Sequence, residues 1–249
     1  MRTKKLATFL AAVLFFVVAS FNAVQANPVA LRGDNKEDRI ARESRVTEPV
    51  NLAILVQDDL VSRVGNELKV TGEFIRALPA GSRVMVGYLR VGVMQVRQPF
   101  TTDMERAARS LRIPVGSTSA APFNPYVEVV DALRLFDTGG PNRNALLLIS
   151  DGLDVSRGFD FSSTVHSIDL DRAIREARKQ GVKVYTFYAP TVGLTSQNRL
   201  AVSFGQSALN RLADETGGEA FFQGTSFVTF DSYFKRLGRS INKQSAAAE

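Results

Sequence analysis

The chain has 249 residues, of which 45% are hydrophobic and 22% charged, the balance of a soluble globular protein with one domain of ordinary size. The absence of cysteine excludes disulfides, thiolate metal sites and a nucleophilic cysteine, and a single histidine leaves too few ligands for a zinc centre. The formal net charge is +6, but three of the 31 basic residues lie within the first five positions, which leaves 28 basic against 25 acidic residues. Because these basic residues are scattered, we expect no nucleic-acid partner.

The N-terminal residues have the pattern of an export signal. Three basic residues precede an apolar stretch over residues 6–18, and Val24-Gln25-Ala26 supplies a small-residue cleavage pattern. The alternative, a retained membrane anchor, needs about 20 apolar residues, and this run is shorter. We therefore predict a signal peptide over residues 1–26, export to the periplasm or the extracellular space, and no membrane span after cleavage.

The rest of the chain divides into three parts by composition. Residues 27–49 are polar and charged and predict a flexible lead-in, because they contain too little apolar surface to offset the entropy of ordering. Residues 50–243 alternate between strand and helix patterns and predict one domain. Residues 244–249 predict a disordered tail.

The sequence of the first half of the domain predicts a strand, a helix, two β-rich runs and then two further helices. In chain order these are a buried strand Leu52–Val56, a helix with Leu60, Val64, Leu68, Phe74, Ile75 and Leu78 on one face, and two β-rich runs over Arg83–Val96 that turn at Val91-Gly92. A capping box of Thr102 and Glu105 then opens a helix to about Arg112, and Asn124 and Pro125 open a helix through Phe136.

The second half continues the alternation. The predicted elements are a buried strand Asn144–Ser150, a helix Ile168–Gln180, a strand Val182–Tyr188, a helix Ser207–Thr216, a short strand Glu219–Phe222 and a final amphipathic helix with Phe230, Tyr233, Phe234, Leu237 and Ile241. Leu-, Ile- and Val-rich strands separated by helices indicate a doubly wound α/β fold with a mostly parallel sheet and helices on both faces.

Acidic residues follow two of the buried strands. Asp58 and Asp151 lie where the carboxyl ends of parallel strands border a crevice, the place where such sheets bind ligands. Two carboxylates there suit a hard divalent cation. The ordinary alternative is that Asp58 or Asp59 caps the next helix and Asp151-Gly152 forms a turn. Spacing alone leaves both open.

Three segments resemble the von Willebrand factor type A (VWA) family: Leu147–Asp154, Ala173–Tyr185 and Leu209–Phe222, followed by an amphipathic helix. The resemblance covers Val50 to about Lys243 and is closest to secreted, single-domain bacterial members. It implies a central sheet with one antiparallel edge strand. It also implies a metal-ion-dependent adhesion site at the crevice.

The family's site takes an Asp-x-Ser-x-Ser segment after the first strand, a Thr from a middle loop and an Asp after the fourth strand. By this resemblance Asp58 matches the first Asp, Ser62 the second Ser and Asp151 the late Asp, whereas Leu60 replaces the first Ser. Thr118 is the candidate for the Thr, although it lies upstream of the expected place. The resemblance therefore implies a weakened Mg²⁺ or Ca²⁺ site, or no metal at all.

The resemblance also implies a function in adhesion or recognition of another protein. Because Leu60 lies within the site pattern, we expect Leu153–Ser167 and Ala189–Gly205 to be candidate recognition loops. The alternative is a structural or assembly subunit of a cell-envelope complex that binds no metal. The partner's identity stays open.

We do not expect an enzyme. Phosphate-binding and dinucleotide-binding glycine motifs are missing from the sequence. His166 lies in a Ser/Thr-rich segment without a Gly-x-Ser-x-Gly nucleophile motif. We therefore predict no catalytic residues and no organic cofactor.

Overall fold

The computed structural model describes residues 45–61, 64–136, 143–158, 167–222 and 230–243, the side chain of Asn66 excepted. The predicted signal peptide, Ser62, His166 and the C-terminal tail lie outside these ranges. Within them, no helix has both the length and the apolar character needed to cross a membrane.

A six-stranded sheet forms the centre of the described structure, in the order β3-β2-β1-β4-β5-β6. The strands are β1 (Asn51–Gln57), β2 (Arg83–Arg90), β3 (Val93–Thr101), β4 (Asn144–Ser150), β5 (Val182–Tyr188) and β6 (Ala220–Phe221). The edge strand β3 is antiparallel to β2, and every other neighbouring pair is parallel. This confirms the predicted α/β class with one antiparallel edge strand.

Six α-helices cover the two faces of this sheet. They are α1 (Val64–Arg76), α2 (Met104–Arg109), α3 (Pro125–Leu133), α4 (Ile168–Lys179), α5 (Arg199–Thr216) and α6 (Phe230–Lys243). Helices α1, α2 and α6 contribute side chains to one hydrophobic cluster, and α3, α4 and α5 to the other.

The central strands supply both clusters by alternation. In β1, Leu52, Ile54 and Val56 belong to the first cluster, and Ala53 and Leu55 to the second. Such full burial stabilises the fold by about 1.5–3 kcal/mol for each large aliphatic side chain. It also explains the continuous apolar runs in the sequence, because a sheet covered on both faces has no polar side.

The antiparallel edge arises from a two-residue hairpin, as the sequence predicted. Val91 and Gly92 join β2 to β3, with φ of 52° and 72°. Positive φ at both central residues matches the right-handed twist of the strands that they connect.

Two helix starts in the first half of the domain differ from the sequence prediction. Leu60 was expected in the first helix, but α1 begins at Val64, and Leu60 instead forms an isolated antiparallel bridge with Thr191. The expected Thr102 capping box is also wrong, because the side chain of Asp103 caps α2 by accepting from the backbone N–H of Arg106. A capping side chain accepts from the backbone N–H three residues later, and both Thr102 and Asp103 have an oxygen that can do so.

The N-terminal described residues attach to the last helix. The Asn242 side chain accepts from the backbone N–H of Thr47 at 3.0 Å and donates to the carbonyl of Arg45 at 2.7 Å. Arg143 pairs with Glu48 at 3.0 Å, and Val46 is buried. Residues 45–49 of the predicted lead-in therefore pack against the domain.

Candidate functional site

The crevice at the carboxyl ends of β1 and β4 centres on the side chain of Gln57. Its Oε1 accepts from the Ser150 hydroxyl and, at 3.3 Å, from the backbone N–H of Asp151. Its Nε2 donates to Asp59 Oδ1 at 2.8 Å and to Asp151 Oδ1 at 3.3 Å. Because a backbone N–H can only donate, the bond from Asp151 fixes the amide with its NH₂ between the two carboxylates.

Asp151 receives hydrogen bonds on both carboxylate oxygens. The hydroxyls of Thr191 and Thr195 donate to Oδ2 at 3.0 and 3.2 Å, and the backbone N–H of Leu153 donates to Oδ1 at 3.1 Å. Burial raises the pKa of Asp151, and these hydrogen bonds oppose the increase. The carboxylate is held in one orientation by groups from three parts of the chain.

Asp59 is the second acidic group that contacts Gln57. It is 3% exposed, and its pKa rises to about 6, first because of burial and second because of the negative charge of Asp151. The two carboxyls thus repel each other, and the Gln57 amide lies between them as a shared donor.

Two glycines set the position of the turn after β4. Gly152 has φ of 75°, which favours glycine, and accepts a hydrogen bond from the buried Tyr126 hydroxyl at 2.6 Å. A Cβ on Gly205 of α5 would lie 2.0 Å from the carbonyl oxygen of Asp151. Helix α5 therefore approaches the Asp151 turn as closely as the backbone allows.

Asp58 belongs to a separate group of contacts. The Arg112 guanidinium donates to both of its carboxylate oxygens, at 2.6 and 2.8 Å, and the backbone N–H of Val115 adds a third bond. Arg112 also lies 4.1 Å over the ring of Tyr88. The hydrogen bonds that Arg112 donates to Asp58 raise the pKa of Arg112, so a fully buried carboxylate is matched by a fixed positive charge.

The loops after β1 and β5 join each other next to the Gln57 group. The backbone N–H of Val192 donates to the backbone carbonyl of Asp59 at 3.0 Å, and that of Val61 donates to the backbone carbonyl of Pro190 at 3.1 Å. Between these two bonds lies Leu60, whose side chain is fully buried. Since Asp59 and Asp151 are only 3% and 4% exposed, the carboxylates at the crevice are closed to solvent.

The structure does not bring the predicted metal ligands together. Asp58 bonds to Arg112, Asp151 bonds to Gln57 and the two threonines, and Thr118 is exposed in the 3₁₀ turn Thr118–Ala120. Among the residues described, no three or more His, Cys, Asp or Glu side chains form a group suited to a metal ion. Metal binding itself stays a prediction, because Ser62 lies outside those residues.

The geometry places Gln57, rather than Asp58, against Asp151. The Gln57 side chain spans from β1 to Asp151 after β4, whereas the Asp58 carboxylate bonds to Arg112. The sequence did offer a signal for Gln57, a polar residue that ends a fully apolar strand. It offered none for Arg112, which lies 54 residues from its partner Asp58.

Apolar side chains are exposed at the same edge of the sheet. Leu194 and Leu200, 41% and 57% exposed, line an open depression of about 700 Å³ between the β5–α5 loop and the first turn of α5. Arg199 lines the same depression. Phe123, just before α3, is 50% exposed and has φ of 64°.

Comparisons with known proteins give structural likeness only. No protein-family model matches the chain, and no curated protein sequence matches it. An aerotolerance-related membrane protein from Bacteroides fragilis NCTC 9343 superposes with a TM-score of 0.51 at 14% identity, over 78% of this chain and 99% of that one. BatB from Bacteroides thetaiotaomicron, described as a conserved hypothetical protein, gives 0.53 at 16% identity, over 79% and 99%. The VWA domain of SpRpn10 gives 0.45 at 12% identity, over 80% and 95%.

The architecture agrees with the fold that the sequence resemblance implied. A doubly wound sheet carries one antiparallel edge strand, its helices cover both faces, and its crevice lies at the carboxyl ends of β1 and β4. The chain has a VWA-like fold.

Proposed function

We propose that this protein is an exported protein–protein interaction module that binds its partner through the loops at the carboxyl edge of the sheet. The observation that carries the proposal is the depression beside the β5–α5 loop, where Leu194 and Leu200 are exposed next to Arg199. Apolar side chains grouped with an arginine on a loop over a rigid sheet are typical of protein recognition surfaces. Export rests on the predicted signal peptide.

Phe123 supports the same surface. Its φ of 64° is costly for a residue with a side chain, and the hydrogen bond from the Val155 N–H to its carbonyl, at 2.7 Å, helps to hold it. Because the ring is exposed, the strained backbone does not serve to bury it in the core. Its exposure therefore favours a role in contact with another molecule.

The crevice supports binding rather than catalysis. Asp59 and Asp151 are closed to solvent and hydrogen-bonded within the protein, so neither is placed to act on a substrate. We therefore propose a non-enzymatic module whose contact surface is the loops around the crevice.

Substitutions in the depression test this surface. Leu194→Asp and Leu200→Asp place a charge at the proposed contact, and Leu135→Asp is the matched control, because Leu135 is 43% exposed and follows α3 at the opposite edge of the sheet. A photo-reactive residue at position 197, which lines the depression, would cross-link the partner in intact cells.

We expect one cross-linked species that disappears in both depression variants and persists in Leu135→Asp, with unchanged melting temperatures throughout. A stoichiometric complex after purification would indicate an assembly subunit, and weak, reversible capture a recognition module. Equal cross-linking in all three variants would contradict the proposed surface.

A further inference from the structure

We propose that the crevice is a metal-independent form of the site, in which the Gln57 side-chain amide takes the place of a divalent cation between Asp59 and Asp151. A cation and the partially positive hydrogens of an NH₂ group can both lie between two neighbouring carboxylates and attract their oxygens. Here the donor is covalently part of β1, so the group is complete without an ion. This inference does not depend on the proposed partner surface.

The orientation of the amide argues against a cation at this position. A metal ion needs an oxygen lone pair, whereas the atom of Gln57 that faces both carboxylates is Nε2. Turning the amide over would place its NH₂ against the backbone N–H of Asp151, which cannot accept a hydrogen bond. The surrounding backbone thus holds the residue in the form that repels a cation.

The lone pairs of Asp151 are also fully used. A carboxylate offers about four acceptor positions. Gln57 and the backbone N–H of Leu153 occupy Oδ1, and the hydroxyls of Thr191 and Thr195 occupy Oδ2. A cation at Asp151 would have to displace at least one of these four donors.

Asp58, the other acidic residue next to the crevice, is paired with a cationic side chain. Both oxygens of Asp58 bond to the Arg112 guanidinium, which is a permanent charge. Asp59 and Asp151 are also only 3% and 4% exposed, which leaves little room for Mg²⁺ and the waters that it retains. The orientation of the Gln57 amide, the occupied acceptor positions of Asp151 and the burial of both carboxylates thus all argue against a bound cation.

The test compares metal responses of the wild-type protein, Gln57→Glu and Gln98→Glu. Gln57→Glu keeps the side-chain length and changes only the atom between the two carboxylates. Gln98→Glu makes the same change at a buried glutamine of β3, whose Nε2 donates to Pro99. Mn²⁺ binding would be measured by electron paramagnetic resonance, and melting temperature would be followed up to about 10 mM Mg²⁺ or Mn²⁺.

We expect no saturable Mn²⁺ binding and no shift in melting temperature for the wild type or for Gln98→Glu. Gln57→Glu should melt lower than the wild type without metal, because three carboxylates then meet, and should rise with the logarithm of the metal concentration above its Kd. If Gln57→Glu folds only with metal, its refolding should succeed with Mn²⁺ and fail without it, which would show the same dependence.

Two results would overturn the inference. Saturable Mn²⁺ binding by the wild type, lost in Asp151→Asn, would show that the crevice holds a metal. A folded Gln57→Glu variant that ignores Mn²⁺ would show that Gln57 does not stand where a cation would bind.

Discussion

The carboxylate of Asp58 is fully buried, and Arg112 is the residue that balances it through two hydrogen bonds. Such a pair differs from an exposed one, because removing the arginine takes the closest counter-charge from a carboxylate that water does not reach. Arg76 and Glu105 provide the contrast, since they pair at 2.6 Å on the protein surface.

We predict that Arg112→Ala lowers the free energy of unfolding by about 3 kcal/mol, because the buried Asp58 carboxylate then keeps only the more distant Arg90 guanidinium, at 3.8 Å, as a counter-charge. Arg76→Ala should cost much less, because its partner Glu105 remains solvated. Urea denaturation of both variants measures the difference. Equal losses would show that the buried pair adds no more than a surface pair.

Glu128 of α3 is a buried acid that contributes to no proposed site. Neither of its carboxyl oxygens has a hydrogen-bond partner among the described residues. Burial, and secondarily the charge of Asp131, raises its pKa from 4.5 to about 8. A pKa above the unfolded value means that the folded state binds the proton more strongly. The contribution of Glu128 to the free energy of unfolding is therefore greatest below pH 4.5 and falls as the pH rises through about 8.

Glu128→Gln should flatten the stability profile between pH 4.5 and about 8, because it removes the titrating proton. Glu128→Leu should also raise the free energy of unfolding at neutral pH by about 1–3 kcal/mol, because it removes a buried polar group. Melting temperatures measured across this range test both. A wild-type profile that keeps its slope in Glu128→Gln would assign the titration to another group.

At the scale of elements, the contact between α5 and the turn after β4 depends on a glycine within a helix. Gly205 has no room for a methyl group, because a Cβ would lie 2.0 Å from the Asp151 carbonyl oxygen. Gly65 of α1 is also helical, but a Cβ there would lie 3.4 Å from the side chain of Ile113, at ordinary contact distance.

We predict opposite effects for alanine at these two positions. Gly205→Ala should destabilise the protein by about 3 kcal/mol, since helix and turn must separate. Gly65→Ala should stabilise it by about 0.5–1 kcal/mol, since alanine is the better helix former. Thermal denaturation measures both, and a loss of similar size in each variant would contradict the close-approach argument.

The sequence predicted elements well where local signals were complete. Strand β4 was predicted at its observed bounds, and Asn124 caps α3 by accepting from the Tyr126 N–H, as expected. Helix α5 was predicted to begin at Ser207 but begins at Arg199. Its first two turns contain Gly205, a poor helix residue retained for its contact with Asp151, so local propensity and tertiary packing disagree there.

At the scale of the whole molecule, the two ends of the described domain are tied together. Asn242 near the end of α6 bonds to Arg45 and Thr47, 197 and 195 residues away. This contact fastens the chain just before β1 to the last helix.

Asn242→Ala should release residues 45–47 while leaving the sheet intact. We expect faster tryptic cleavage after Arg45 and a loss of only about 1 kcal/mol in the free energy of unfolding, because these bonds are exposed. Asn210→Ala removes a similarly exposed bond, to Asp214 within α5, and serves as control. Unchanged cleavage in Asn242→Ala would show that the segment is held by other contacts, such as the buried Val46.

The sequence by itself determined the class of fold, the order of the elements and the edge of the sheet where polar residues gather. These follow from apolar periodicity, caps and turn residues, which act over a few positions. Only the tertiary structure decided which residues meet there. In the structure Gln57 contacts Asp151, Asp58 pairs with Arg112, and Leu60 lies between two joined loops. The physical reason is register: a shift of one residue along β1 changes the direction of the side chain, and no local signal fixes the end of a strand that precisely.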